Sequence, residues 1–210
     1  MEPTDFFEAE ARTRGYQFVA GLDEAGRGPL AGPVVAAVVV LPRRCWLPGL
    51  NDSKQVAAPE RERLYAEISK RALAVGVGCA SEREIETLNI VQATRLAMSR
   101  AIQALPQSPD FLLIDALTLP SVRLPQRPII KGDGFSVSIA AASIMAKVSR
   151  DRLMCDYHRR YPHYNFRSHK GYATPEHLRL LARHGPCDIH RQTFRPVLDT
   201  QEADEWEMLV

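Results

Sequence analysis

The chain has 210 residues, 45% hydrophobic, 25% charged and 7% aromatic. That is ordinary globular composition, long enough for one domain, or one domain with a small appendage, to bury a core. No apolar run approaches the roughly 20 residues of a membrane span, and the acidic start MEPTDFFEAEARTRG lacks the basic and apolar regions of a signal peptide, so a cytoplasmic protein is expected. The formal net charge of +2 hides an asymmetry: residues 147–195 hold 11 of the 27 basic side chains, 4 of the 25 acidic ones and all six histidines, while residues 196–210 hold five acidic and no basic ones.

The segments QFVAGLDE and GPVVAAVVVL read as two strands joined through Gly26, Gly28 and Pro29. APERERLYAEISKRA reads as a short helix and LAVGVGCAS, residues 73–81, as a third strand. In IETLNIVQATRLAMSRAIQAL the residues Ile90, Val91, Thr94, Ala97, Met98 and Ala101 recur at helical spacing. FLLIDA, residues 111–116, lies between Pro109 and Pro120 and reads as a buried strand; RPIIKGD reads as another. SVSIAAASIMAKVSRDRLMCDYHRRY predicts a long alanine-rich helix. TPEHLRLLARHG predicts a helix with a start at Thr174-Pro175 and a glycine stop. The ending DTQEADEWEMLV is either a loose acidic helix or disordered. There is no internal repeat. Strands followed by alternating helices and strands predict an α/β protein with a mixed sheet, the basic C-terminal part forming a helical appendage.

Cys45, Cys79, Cys155 and Cys187 are far apart and form no CxxC pair, as expected of free thiols in a reducing compartment. The basic block fits a polyanion partner and, on charge alone, equally a solvated helical face.

Asp23, Glu24, Asp115 and Asp133 all sit at or just past the ends of apolar runs. A buried carboxylate is costly unless it is paired or binds a metal, and strand ends are where sites of open α/β sheets assemble. If the strands carrying GLDE and LLID are neighbours, their carboxylates repel, and a divalent cation resolves the repulsion. All-oxygen ligands favour Mg2+ or Mn2+ over zinc. The alternative is that each carboxylate caps a turn or pairs with an arginine. Two such ions about 4 Å apart can drive an in-line phosphoryl displacement, and a nucleic acid would supply both the phosphate and the reason for the basic block.

From about residue 16 to 197 the sequence resembles ribonuclease HII. The resemblance rests on GLDEAGRGPLAGPVVAA, LNDSKQVAAPERERLYAEI, LNIVQATRLAM, KGDGFSVSIAAASIMAKVSRD and HKGYATPEHLRLLARHGPCDIHRQTFRPV, long and in order. It implies a ribonuclease H-type fold: a mixed five-stranded sheet flanked by helices, with residues 1–150 as catalytic core, 1–15 as a loose N-terminal segment and 151–210 as a helical C-terminal extension. It implies a monomer that cleaves RNA in RNA–DNA hybrids and at lone ribonucleotides in duplex DNA, with two Mg2+ or Mn2+ ions when substrate is bound, in replication and ribonucleotide excision repair. Asp23, Glu24, Asp115 and Asp133 then become the metal and catalytic carboxylates. Gly26, Arg27 and Gly28 become the loop that senses the ribose 2′-OH, and Tyr172 completes that sensor by stacking on the next deoxyribose. Lys54, Lys147, Lys170 and Arg191 are expected phosphate contacts. One departure stands out: the family usually has glycine where this chain has Ala116. Alanine there implies either a backbone that needs no positive φ or a slightly reshaped site.

Apart from the resemblance, AGRGP reads as a turn with a solvent-facing arginine, and a tyrosine after Lys-Gly is more often a half-buried packing residue. Rival readings are a zinc site built from Cys187, His190 and one of His169, His177 or His184, whose spacing fits no standard pattern; a non-catalytic hybrid-binding module, which would not need four carboxylates; and a junction resolvase of the same superfold, which would not need a 2′-OH sensor.

Overall fold

In the computed structural model, which describes residues 2–200, the elements run α1 (Phe6–Thr13), β1 (Val19–Ala25), β2 (Val34–Val40), α2 (Ala58–Arg71), β3 (Ala74–Ala80), α3 (Glu82–Leu88), α4 (Ile90–Gln103), β4 (Phe111–Asp115), β5 (Gln126–Ile129), α5 (Val137–Arg160), α6 (Phe166–His169) and α7 (Pro175–His184). The five strands form one sheet of order β3-β2-β1-β4-β5. The β1/β2 and β2/β3 pairs are antiparallel; β1/β4 and β4/β5 are parallel. This is the expected mixed sheet.

Strand β2, VVAAVVV, is buried at every position, which requires both faces of the sheet to be covered. Val34, Ala36, Val38 and Val40 face a core shared with Ala93, Ala97, Met98 and Ala101 of α4. Ala37 and Val39 face Ala140, Ala141, Ile144 and Met145 of α5. Helix α5 rides very close to β1: a Cβ at Gly21 would stand 2.1 Å from the backbone of Ser138. Alanine and glycine along this contact let the first turns of α5 reach the sheet end where the candidate carboxylates lie.

Two local expectations are corrected. The segment expected as one helical stretch is two helices, because Asn89 takes a φ of +69° and its Oδ1 accepts from the N–H groups of Val91 and Gln92, capping α4. The N-terminal segment expected to be loose contains helix α1. It is tied down by the buried Glu8, whose Oε1 accepts from Ser136 Oγ at 2.6 Å and from the Ser138 N–H at 2.9 Å. The expected division at residue 150 falls inside α5, which continues unbroken to Arg160. The acidic ending lies almost wholly outside the described residues. No helix among the described residues is long and apolar enough to cross a membrane.

Candidate active site

The parallel pairing of β1 with β4 ends with Leu22 opposite Ile114, so Asp23, still inside β1 and paired with Ala37 of β2, and Asp115, the last residue of β4, come next side by side. Strand β5 pairs Ile129 with Asp115, and a short 3-10 turn at Gly132–Gly134 then carries Asp133 to the same edge. Carboxylate oxygens of Asp23, Asp115 and Asp133 lie within 4.8 Å of one another; among the described residues no other set of three His, Cys, Asp or Glu side chains converges in this way. Glu24 stands beside them. Its Oε1 accepts from Arg27 at 3.2 Å, while its buried Oε2 has no hydrogen-bond partner among the described residues.

All four carboxyl groups are pushed up from their ordinary range, first by burial. Asp23 is raised further by Glu24 and Asp115, against a hydrogen bond from Ser143. Asp133 is raised to about 6 by burial, then by the neighbouring charges of Asp52 and Asp115. For Asp115 the N–H of Gly132, donating at 2.8 Å, opposes the rise. Burial alone would lower Lys54, but the carboxylates of Asp52, Asp133, Asp23 and Asp115 outweigh it and leave the ammonium raised.

This donor set fits a divalent cation. The ligands are all oxygen, which suits a hard ion. Glu24 Oε2 is a buried acceptor with nothing to accept from, and unpartnered buried acceptors are costly. Like charges at this separation are otherwise driven to protonate, and a cation reverses that tendency.

Asp115 and Lys54 stand where two hollows meet. One, of about 850 Å3, is walled by Glu24, Gly26, Arg27, Gly28, Lys147 and Tyr172. The other, of about 560 Å3, is walled by Asp52, Lys131, Asp133 and Phe135. The first brings together the carboxylates and the residues that the resemblance names as a sugar sensor. Gly26 has a φ of +96°, and a Cβ there would stand 2.1 Å from Arg150 Nε; no other residue fits. A Cβ at Gly28 would meet nothing within 4 Å, so this backbone faces open space.

The expected phosphate contacts divide. Lys54 lies 3.8 Å from both Asp52 and Asp133. Lys147 lines the larger hollow, paired with Asp151 at 2.7 Å and 5.7 Å from the Tyr172 ring centroid. Lys170 is not at the carboxylates: its Nζ donates to the carbonyl of Arg167 and lies 3.3 Å from Cys155 Sγ, lining a separate small hollow. Arg191 as a surface phosphate contact is corrected. It has no solvent exposure, and its guanidinium donates to the carbonyl oxygens of Gly26, Arg27 and Gly32 at 2.5–2.9 Å. It is committed to holding the loop that carries Gly26 to Gly28. The zinc alternative is not met either: His190 meets His177 through Nε2 and Cys187 through Nδ1, and among the described residues these side chains form no converging set of three ligand atoms.

Ala116 has a φ of +51°, so of the two expected alternatives the backbone without positive φ is excluded. It is the middle residue of a tight turn closed by the Leu117 N–H on the Asp115 carbonyl at 2.6 Å. Reasoning from the sequence did not single out Asp52, Ser53 or Ser143. Asp52 sits two residues before Lys54 in NDSK, which was the available signal. The Ser143–Ser53 bond at 2.9 Å links positions 90 apart and left none.

A family model described as Ribonuclease HII matches residues 20–197. The ribonuclease HII of Desulfitobacterium hafniense (strain DSM 10664 / DCB-2) is 56% identical over 190 residues, 90% of this chain and 73% of that protein. The ribonuclease HII of Syntrophotalea carbinolica (strain DSM 2380 / NBRC 103641 / GraBd1) is 54% identical over 192 residues, 91% of this chain and 92% of that protein. Among solved structures, the ribonuclease H2 of Pyrococcus horikoshii OT3 superposes with a TM-score of 0.75 at 25% identity, covering 90% of this chain and 99% of that one. Bst-RNase HIII in complex with Mn2+ shares the fold, with a TM-score of 0.69 at 19% identity over 92% of this chain and 72% of that one. The fold is therefore of the ribonuclease H type expected from the sequence. A match of this extent at this identity settles membership: the chain belongs to the ribonuclease HII family.

Proposed function

We propose that this ribonuclease H-type endonuclease hydrolyses the RNA strand of RNA–DNA hybrids and cuts duplex DNA on the 5′ side of a lone ribonucleotide, leaving 5′-phosphate and 3′-hydroxyl ends. The observation that carries the reading is the shared hollow: Asp115 and Glu24 of the carboxylate cluster line the same space as Gly26, Arg27, Gly28 and Tyr172. A cutting centre and a sugar reader placed together can couple cleavage to a single 2′-OH, the group by which a protein tells RNA from DNA.

Asp23, Glu24, Asp115 and Asp133 would hold the divalent cations, Mg2+ or Mn2+. Bound there, such ions activate a water and stabilise the leaving oxygen of an in-line phosphoryl displacement. The chain's own residues do the rest. Lys54 presents an ammonium at the rim of both hollows, where a phosphate would pass. The backbone at Gly28 carries no side chain, so its polar groups can approach a ribose closely. The Tyr172 ring, 40% exposed, offers an apolar face to the neighbouring sugar, and only a sugar without its own 2′-OH can pack flat on it. Arg27 pairs with Glu24, which ties the sensing loop to the carboxylates.

The test is cleavage of an end-labelled duplex with one ribonucleotide, with and without Mg2+, with product ends mapped. Cation-dependent cutting immediately 5′ of the ribonucleotide supports the reading; cutting 3′ of it, or no cutting, refutes it.

A further inference from the structure

His169, His177 and His190 are polar and buried, lie ring against ring outside the carboxylate cluster, and reach Tyr172 through His177. Their partners fix one arrangement of protons. The Gly171 N–H donates to His169 Nδ1 at 3.2 Å, so His169 carries its proton on Nε2 and donates to the Tyr164 carbonyl at 2.6 Å. His177 Nδ1 lies 2.9 Å from the Tyr172 carbonyl oxygen. A carbonyl only accepts, so Nδ1 carries the proton and Nε2 a lone pair. His190 Nε2, 3.0 Å from that lone pair, must donate to it. His190 Nδ1 is then left to accept from the Cys187 N–H at 2.9 Å. The result is a chain of hydrogen bonds with a single direction, from Cys187 through His190 and His177 to the Tyr172 carbonyl.

The residues just before Tyr172 are held from other sides, by the Leu30 N–H on the Gly171 carbonyl at 2.8 Å, Arg150 Nη1 on the Lys170 carbonyl at 3.0 Å and the Tyr172 N–H on the His169 carbonyl at 2.9 Å; the Tyr172 carbonyl itself is what the histidine chain holds. Lys170 and Gly171 take φ values of +53° and +85° in succession, and Tyr172 is partly exposed and lines the larger hollow, with Lys147 Nζ and Arg150 Cζ each 5.7 Å from its ring centroid. A ring placed in this way is positioned by its backbone more than by packing. The Tyr172 carbonyl accepts from His177 and also from the Thr174 N–H at 2.8 Å, which uses both of its lone pairs.

We propose that His177, oriented by His190, is a positioning residue for the sugar-reading step: it sets the place of the Tyr172 ring opposite the Gly26-Arg27-Gly28 turn. This rests on the reading of Tyr172 as part of the sensor. A displacement of about 1 Å in such a contact can cost roughly 100-fold in rate. The bond from His177 to Tyr172 therefore controls cleavage although neither imidazole touches substrate.

Two substitutions separate positioning from packing. In His177→Asn the amide N–H occupies the place of Nδ1 and keeps the bond to Tyr172. In His177→Gln the amide reaches toward His190 and that bond is lost. On the single-ribonucleotide duplex, His177→Gln should lower kcat/KM by roughly 10- to 100-fold and His177→Asn by only about threefold. The reverse order, or equal losses, overturns the proposal. If His177→Gln does not fold, His190→Asn, which withdraws the donor from His177 Nε2 and spares the His177 ring, should give a loss of the same sense; full activity in that variant also overturns it. In a Tyr172→Ala background the further loss from either substitution should vanish, and a loss that persists in full means that the histidines act elsewhere. Should Tyr172→Ala alone leave cleavage of this duplex unchanged, the sensor reading itself has failed, and the positioning claim with it.

Discussion

The N–H of Gly132 donates to Oδ1 of Asp115 at 2.8 Å. This bond ties the end of β4 to the turn that carries Asp133, so a strand carboxylate and a turn carboxylate are held in one place. Asparagine at position 115 keeps an acceptor oxygen for Gly132 and loses only the negative charge. Asp115→Asn should therefore fold and bind an RNA–DNA hybrid with unchanged affinity, with turnover below a few per cent of that of the unaltered protein at saturating Mg2+. Turnover with fluorescence anisotropy checks both halves, and substantial residual turnover removes Asp115 from the metal set.

Ala116 holds a left-handed backbone that costs an L-residue roughly 1–2 kcal/mol. Glycine relieves that strain and gives back part of the gain as unfolded-chain entropy. Ala116→Gly should stabilise the protein by about 0.5–1 kcal/mol, seen as a higher urea midpoint at unchanged slope. A lower midpoint contradicts this account of the turn.

In the metal-free protein the raised pKa values of Asp23, Glu24, Asp115 and Asp133 mean that the folded state keeps protons the unfolded chain has released. Stability from these groups is full below their ordinary values of 3.8 to 4.5 and is lost as pH rises, for Asp133 through about 6. His177 and His190, pushed down to about 4 by burial, act in the opposite sense: their contribution is full above their ordinary 6.5 and is lost as pH falls toward 4. A cation competes with the carboxylate protons only. The rise in Tm on adding Mg2+ should therefore be small near about pH 5 and large near about pH 8. An increment that does not change with pH would exclude these carboxylates as the site.

Substrate binding should weaken with salt, each neutralised phosphate contributing roughly −0.9 to the slope of log K against log salt. Arg150 and Arg191 are sealed from solvent and Lys147 is paired with Asp151, so the slope should fall short of what all 11 basic residues of 147–195 imply. Lys54→Ala should reduce it by about 1. A slope near zero would mean that the basic block is a solvated face.

Periodic apolar spacing and punctuation made much of the fold legible. Thr174 caps α7 and Gly185 ends it, as TPEHLRLLARHG indicates, and the unbroken run VVAAVVV marks a strand covered on both faces. Asp115 could be placed at a strand end because it closes an apolar run; Asp23 closes one too, yet β1 runs on to Ala25 through its pairing with β2. What stayed hidden depends on partners far along the chain. Glu8 secures α1 through serines about 130 positions away. Arg191 reads as one more surface cation until its acceptors, the carbonyls of Gly26 and Gly32, are seen some 160 positions distant. A charge count records how many arginines a segment has and not which backbone they hold.

The most direct measurement of the central claim compares three duplexes in Mg2+ and again in Mn2+: one with a single ribonucleotide, one with four in a row, and one of DNA alone. The account predicts cleavage of the first two, cutting of the single-ribonucleotide duplex on the 5′ side of its ribose, no cleavage of the third, and a larger loss on the first duplex for Tyr172→Ala than for Tyr172→Phe, since packing uses the ring and not the hydroxyl. Cleavage of the four-ribonucleotide duplex alone under both metals would contradict the placing of a single-ribose reader beside the carboxylates.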